Sequence, residues 1–249
     1  MDNNRREKEY TEGISVKGGL AGKLDNFWYH HKWTTLMIGF FVIVAIICTA
    51  QMCNKEADDL TVVYAGRHGL KASEISNIGA VLSNIAPEDF DGDGRKSIAV
   101  SAYNIMSQAQ IEEMAKQTDA AGNNVHVDKS FFTNEYSTYN NYIKTGESSI
   151  LFLDEWEYDE LVKHGMLMRL DEVLDSVPEG AVGEYGVRLG DTDLYSYYSV
   201  MQLLPEDTVV CILRPFAIGK SSKEKYYERE EKMFCAIVTF DSGEEQTED

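Results

Sequence analysis

The chain has 249 residues, with 23 Lys and Arg against 42 Asp and Glu, a formal charge of −19. Beyond residue 52 the balance is 17 basic against 37 acidic side chains, a surface that repels phosphate backbones and anionic headgroups and argues against nucleic acid as a partner. Four cysteines in a chain of this length are too few for a disulfide scaffold, and about 180 ordered residues are ample for one independent core.

Residues 1–26 are polar, carry no apolar period, and read as a disordered tail. From Trp33 to Asn54 there are 22 consecutive residues without a charge, between Lys32 and Lys55. At the helical rise this run measures roughly 30 Å, the thickness of a bilayer's hydrocarbon core. A lone spanning segment must be helical, because lipid leaves a peptide group no other partner. Phe27, Trp28, Tyr29 and Trp33, with His30 and His31, form an amphipathic belt of the kind that settles at headgroup level.

Arg5, Arg6, Lys8, Lys17, Lys23 and Lys32 precede the run, whereas Lys55, Glu56, Asp58 and Asp59 follow it. Positive-inside therefore places the N-terminus in the cytoplasm and the C-terminal domain outside the cell membrane. A cleaved signal peptide is disfavoured by the 32 residues ahead of the run and by the poor site at Cys48-Thr49-Ala50.

Beyond the charged linker 54–59, TVVYA (61–65) reads as a buried strand. Ile75, Ile78, Val81, Leu82 and Ile85 recur at helical spacing until Pro87. SIAVSAY (97–103) is a second strand, and a short helix covers 108–116. Phe132, Tyr136, Tyr139 and Ile143 share one face of a helix ending near Gly146. SSILFLD (148–154) is the third strand, followed by a helix over 156–164 closed by Gly165 and an apolar turn at 170–174. Residues 175–200 read mostly as loop, TVVCILR (208–214) as a fourth strand, and 222–240 as a closing helix.

Strands alternating with helices, and apolar on both faces, specify an α/β class: a single three-layer domain with a mainly parallel sheet. The chain thus divides into a cytoplasmic tail with its juxtamembrane belt (1–32), a transmembrane helix (33–53), a linker (54–59), an exported α/β domain (60–240) and an acidic disordered tail (241–249). Cys211 and Cys235 stand in apolar stretches where buried free thiols are common, although two exported cysteines can also pair.

The segment 148–174 carries a strand ending in Asp154, a helix, Gly165, and a return through Leu167, Leu170 and Leu174. In this it resembles lobe one of type 2 extracellular solute-binding proteins, over roughly residues 60–175. With its FWYHHKW belt the chain is also similar to uncharacterised, single-pass anchored proteins of Gram-positive gut bacteria. The resemblance implies one solute-binding-like lobe on a tether. Only 75 residues follow Leu174, which leaves no room for a full second lobe.

Three motifs carry candidate chemistry. In Asp89-Phe90-Asp91-Gly92-Asp93-Gly94-Arg95, oxygen donors alternate as in loops that wrap Ca²⁺, which makes Asp89, Asp91, Asp93 and the Arg95 carbonyl the expected metal ligands. The ninth and twelfth positions are Ser97 and Val100, so Ser97, water or a distant acid such as Glu88 has to complete the shell. The same composition also makes a plain Asp/Gly turn. Tyr195, Tyr197 and Tyr198 cluster in one loop and are the expected ligand-binding aromatics. Arg67-His68-Gly69 resembles the opening motif of histidine phosphatases, a chemistry that needs a second His and a second Arg.

No GxSxG, HExxH or CxxC pattern occurs. The sequence therefore points to a non-catalytic, membrane-anchored binding or interaction protein, an accessory subunit of a transporter or envelope complex. Phosphoryl transfer by Arg67 and His68 is the alternative. The expected partners are the membrane and a protein or small molecule that the sequence does not identify.

Overall fold

A computed structural model of the chain describes residues 20–53, 58–118, 122, 125–215 and 220–243. The chain divides after Ala57 into two units. The first is helix α1, Leu20–Cys53, 34 residues or about 51 Å long. Its stretch Phe27–Thr49 is long and apolar enough to cross a membrane. The helix begins well before the apolar run, so Leu20–Asn26 are helical rather than disordered. Once the apolar segment has nucleated the helix, each added residue gains a hydrogen bond at little further cost. Phe27 and His31, one turn apart, stack with ring centroids 5.0 Å apart. The remainder of the expected tail, residues 1–19, and residues 54–57 and 244–249 lie outside the described residues.

The second unit runs in the order β1 (Leu60–Gly66), α2 (Ala72–Ile85), β2 (Ile98–Asn104), α3 (Gln108–Met114), α4 (Lys129–Thr145), β3 (Ile150–Leu153), α5 (Glu155–Lys163), α6 (Leu170–Val173), β4 (Ala181–Val182), β5 (Gly186–Arg188), α7 (Asp193–Tyr197), β6 (Val209–Ile212) and α8 (Lys220–Val238). The sheet order is β2-β1-β3-β6-β5-β4. β1 pairs in parallel with both β2 and β3, while β6, β5 and β4 add an antiparallel half.

The α/β class and the single domain hold, and the sheet is mixed. The strands of the antiparallel half that were read as loop, β4 and β5, are two and three residues long. Such pieces carry no alternating period to detect. They exist because Val187 and Gly186 find partners on β6, not through propensity of their own.

Alternation along each strand sends side chains to opposite faces. On one face Leu60, Val62, Tyr64, Ile150, Phe152, Val210 and Ile212 meet Ile78, Val81 and Leu82 of α2 and Met233, Phe234, Ile237 and Val238 of α8. On the other, Val63, Ala65, Leu151, Leu153, Val209 and Cys211 meet Tyr139 and Ile143 of α4 and Tyr158 and Leu161 of α5. Gly146 and Gly165 end α4 and α5 at φ 65°, a conformation open to glycine at little cost. Cys211 and Cys235 belong to opposite faces of the sheet and are both free, so they do not pair.

The underside of α5 carries an acid. Glu157 is 2 % exposed, and burial pushes its carboxyl up to about 7, against the opposing effect of the Tyr139 and Tyr136 hydroxyls. The native state then holds this proton more tightly than the unfolded chain does. Stability is fullest below the ordinary value of 4.5 and is lost as pH rises through about 7. The loss amounts to roughly 3 kcal/mol at most. Urea titrations between pH 4.5 and 8 should show this decline, and Glu157→Gln should flatten it and be the more stable protein at pH 8.

Candidate functional site

The path from β1 through α2 to β2 goes to one side of β1, and the path from β2 through α3 and α4 returns to β3 on its other side. The chain therefore reverses direction at the carboxyl ends of β1 and β3. In open α/β sheets this is the crevice where ligands bind, because the departing loops diverge there.

Polar side chains gather at that point from four separated segments. Arg67, just past β1, reaches Asp154 with one guanidinium nitrogen (Nη1 to Oδ2, 3.3 Å) and Asp207 with the other (Nη2 to Oδ2, 2.7 Å). The hydrogen bond to Asp207, ahead of the charge of Asp154, holds Arg67 still more firmly protonated. Asp154 follows β3 and caps α5; its side chain is only 7 % exposed. Gln110 donates from Nε2 to both Asp154 oxygens, at 3.3 and 3.2 Å.

The orientation of Gln110 is fixed by a reciprocal cap at the start of α3. Its Oε1 accepts from the Ser107 N–H at 2.7 Å, while its own N–H donates to Ser107 Oγ at 3.2 Å. With the carbonyl turned back, the NH₂ group must face Asp154. At the end of β2, the Asn104 N–H donates to Glu135 Oε2 at 3.3 Å. Asn104 Oδ1 and Trp156 Nε1 are buried and lack hydrogen-bond partners. Gly69 permits this closeness, since a Cβ there would stand 2.9 Å from Asn104 Nδ2.

Arg67 meets two carboxylates in this group, Asp154 and Asp207, while Glu135 is engaged by the Asn104 N–H. Acceptor capacity is left on the half-exposed Asp207, so the group suits a polar ligand that donates hydrogen bonds. It does not suit a phosphoryl group, because the Arg67 charge is already balanced by two acids. His68 is exposed, and its main-chain N–H donates to Tyr64 Oη at 3.3 Å; no second cation meets Arg67 among the described residues.

The acidic loop folds around its own backbone. Asp89 accepts from the N–H groups of Gly92 and Gly94, both at 2.7 Å, which holds its carboxyl below the ordinary range. Asp91 Oδ1 accepts from Asp93 N–H and Asp93 Oδ1 from Arg95 N–H. The carboxylate oxygens that come within 4.8 Å of one another belong to Asp89, Asp91 and Asp59. Asp93 is not in that group.

Asp59 is the residue that local sequence reading missed. It was assigned to the linker, yet it is 3 % exposed and accepts from Asp91 N–H (2.7 Å) and Ser97 N–H (2.9 Å). Only the pairing of β1 with β2 brings it there, so no local spacing signals it.

The tyrosine cluster is divided by helix geometry. Tyr195 is half-buried and donates its hydroxyl to Leu204 O at 3.3 Å, which makes it a packing residue. Tyr197, two positions on and so on the opposite side of α7, is 49 % exposed. It meets Tyr198 edge-on at 4.9 Å, and both lie 5.7 Å from Phe240. Tyr197 is therefore the exposed member, resting on Tyr198 and Phe240, which are partly buried against the core as Tyr195 is. Of the belt, Phe27, Trp28, Tyr29 and Trp33 are all exposed on α1.

In comparisons with known proteins, no family model, no curated protein and no solved structure matches the chain.

Asp154→Ala should cost about 1–2 kcal/mol by removing the cap of α5. Arg67→Ala should cost less than about 1 kcal/mol, because Arg67 and its nearer partner Asp207 are half exposed. Denaturant midpoints of the two variants check this order. Asp59→Ala should cost about 1.5–3 kcal/mol in the same assay, since it strips two part-buried N–H groups of a charged acceptor.

Proposed function

We propose that the chain is a non-catalytic, single-pass membrane protein whose exported domain binds a small polar ligand at the carboxyl ends of β1 and β3. The observation that carries this reading is the convergence of Arg67, Gln110, Asp154 and Asp207 at the reversal of the sheet. Scaffolding alone does not require an oriented amide, a bridging guanidinium and a half-exposed acceptor, Asp207, at that one place. The apolar stretch Phe27–Thr49 of α1 supplies the anchor, and the excess of Lys and Arg before it sets the N-terminus on the cytoplasmic side. The role that fits is ligand capture on behalf of a transporter or envelope complex. The solute-binding-lobe pattern at 148–174 supports the same role.

Phosphoryl transfer is disfavoured by the two carboxylates on Arg67 and by the absence of a second cation there among the described residues.

The test uses the full chain in lipid nanodiscs, screened by thermal shift against amino acids, polyamines and neutral sugars. At least one class should raise Tm, and Arg67→Ala and Asp207→Asn should abolish that rise while Lys163→Ala leaves it intact. No shift with any class, or a shift that survives both site variants, would overturn the assignment. Protease added to intact cells should digest the domain beyond residue 57 and spare the N-terminal tail.

A further inference from the structure

Far from the crevice residues in sequence, the second half of α8 borders an open groove of about 520 Å³. Its floor is apolar: Pro87 ahead of β2, Val173 at the end of α6, and Cys235 and Ala236 of α8. Its rim is acidic. Glu228 and Glu231 line it, and the Cys235 thiol is pushed up first by burial and then by the charges of Glu231 and Asp175. The cation on this stripe, Lys232, is already taken by Glu88, with Nζ to Oε1 at 2.6 Å. Glu228 and Glu231 pair with no cation among the described residues, and Glu231 is pushed up by burial and then by the charge of Glu228.

Like charges one turn apart weaken a helix by a few tenths of a kcal/mol, so α8 carries a repulsion that a positive neighbour would relieve. The residues concerned, 228, 231, 232, 235 and 236, recur at helical spacing along one stripe. That stripe is about 12 Å long, two helical turns. Such a surface accepts the apolar face of another helix at two anchor positions, with that helix's flanking charges meeting the rim.

We propose that this groove docks a basic amphipathic helix of a second protein, with small apolar side chains seated on Val173, Cys235 and Ala236 and Lys or Arg side chains opposite Glu228 and Glu231. The surface is separate from the Arg67 crevice, so the two assignments stand or fall independently.

The full chain in phosphatidylcholine nanodiscs is panned against a displayed library of helical peptides about 18 residues long, with randomised surfaces. Enriched peptides should pair apolar residues four apart with Lys or Arg beside them. They should slow maleimide alkylation of Cys235, mapped by mass spectrometry, while leaving Cys48 unchanged. Glu228→Lys with Glu231→Lys should weaken their binding about tenfold or more, and Glu228→Gln with Glu231→Gln by less.

Failure to enrich any peptide, enrichment of acidic ones, or protection that persists after charge reversal would overturn the proposal. So would Cys235 protection that rises with the concentration of the chain alone, because the occupant would then be a second copy. Circular dichroism of each variant keeps loss of binding distinct from loss of fold.

Discussion

β1 is held by strands on both edges and by helices on both faces, and most of what the domain does follows from that confinement. Its residues from Val62 to Ala65 are at most 2 % exposed. A strand buried on both faces must be apolar at every position, and its neighbours must leave by crossovers on opposite sides. α2 covers one face and α4 the other, so β2 and β3 end up on opposite edges of β1. The reversal at its carboxyl end is therefore forced by topology. Arg67 stands one residue past that end, where the buried strand first meets solvent.

The elements that build this frame were legible because each announces itself by period. The four runs at 61–65, 97–103, 148–154 and 208–214 all contain strands, and the helices over 72–85, 129–145 and 155–163 carry their apolar residues at helical spacing. Gly146 and Gly165 were readable as stops because a left-handed residue after a helix favours glycine. The antiparallel half was not legible. β4 and β5 are too short to show alternation, and the direction of β6 depends on the path of 175–208 rather than on its own residues.

The candidate site was legible only in fragments. Arg67 stood out through a motif whose chemistry the structure does not favour. Asp154 was visible as the end of a strand, but nothing in the sequence links it to Gln110, 44 residues earlier, or to Asp207, 53 residues later. Of the three adjacent tyrosines only Tyr197 is fully exposed, a division that sequence adjacency conceals. On a helix, positions i and i+2 face apart. Asp59 was misassigned because a charged residue beside other charged residues reads as linker, whereas its two acceptor oxygens tie the 89–97 loop to the start of β1.

The buried acids share a logic that bears on the charge of the whole domain. Glu230 of α8 is 5 % exposed and accepts from Ser149 at both N–H (2.8 Å) and Oγ (2.6 Å), fastening the closing helix to the entry of β3. Asp59 fastens a loop to β1, and Asp154 fastens α3 and Arg67 to β3. With Cys211 and Cys235 free on opposite faces, no covalent cross-link performs these long-range ties, and carboxylates accepting backbone and amide hydrogens do so instead. A carboxylate offers two oxygens to donors from two segments, which a neutral hydroxyl does less strongly. Glu157 shows the limit of the device. Its neighbours are tyrosine hydroxyls, and burial shifts it toward the protonated form, as burial also pushes Glu230 up against its two bonds from Ser149. The acidic balance is thus partly structural in origin. Asp154 and Asp207 belong to the same set, since they hold Arg67 and Gln110 in place, whereas Glu228 and Glu231 on α8 pair with no cation among the described residues.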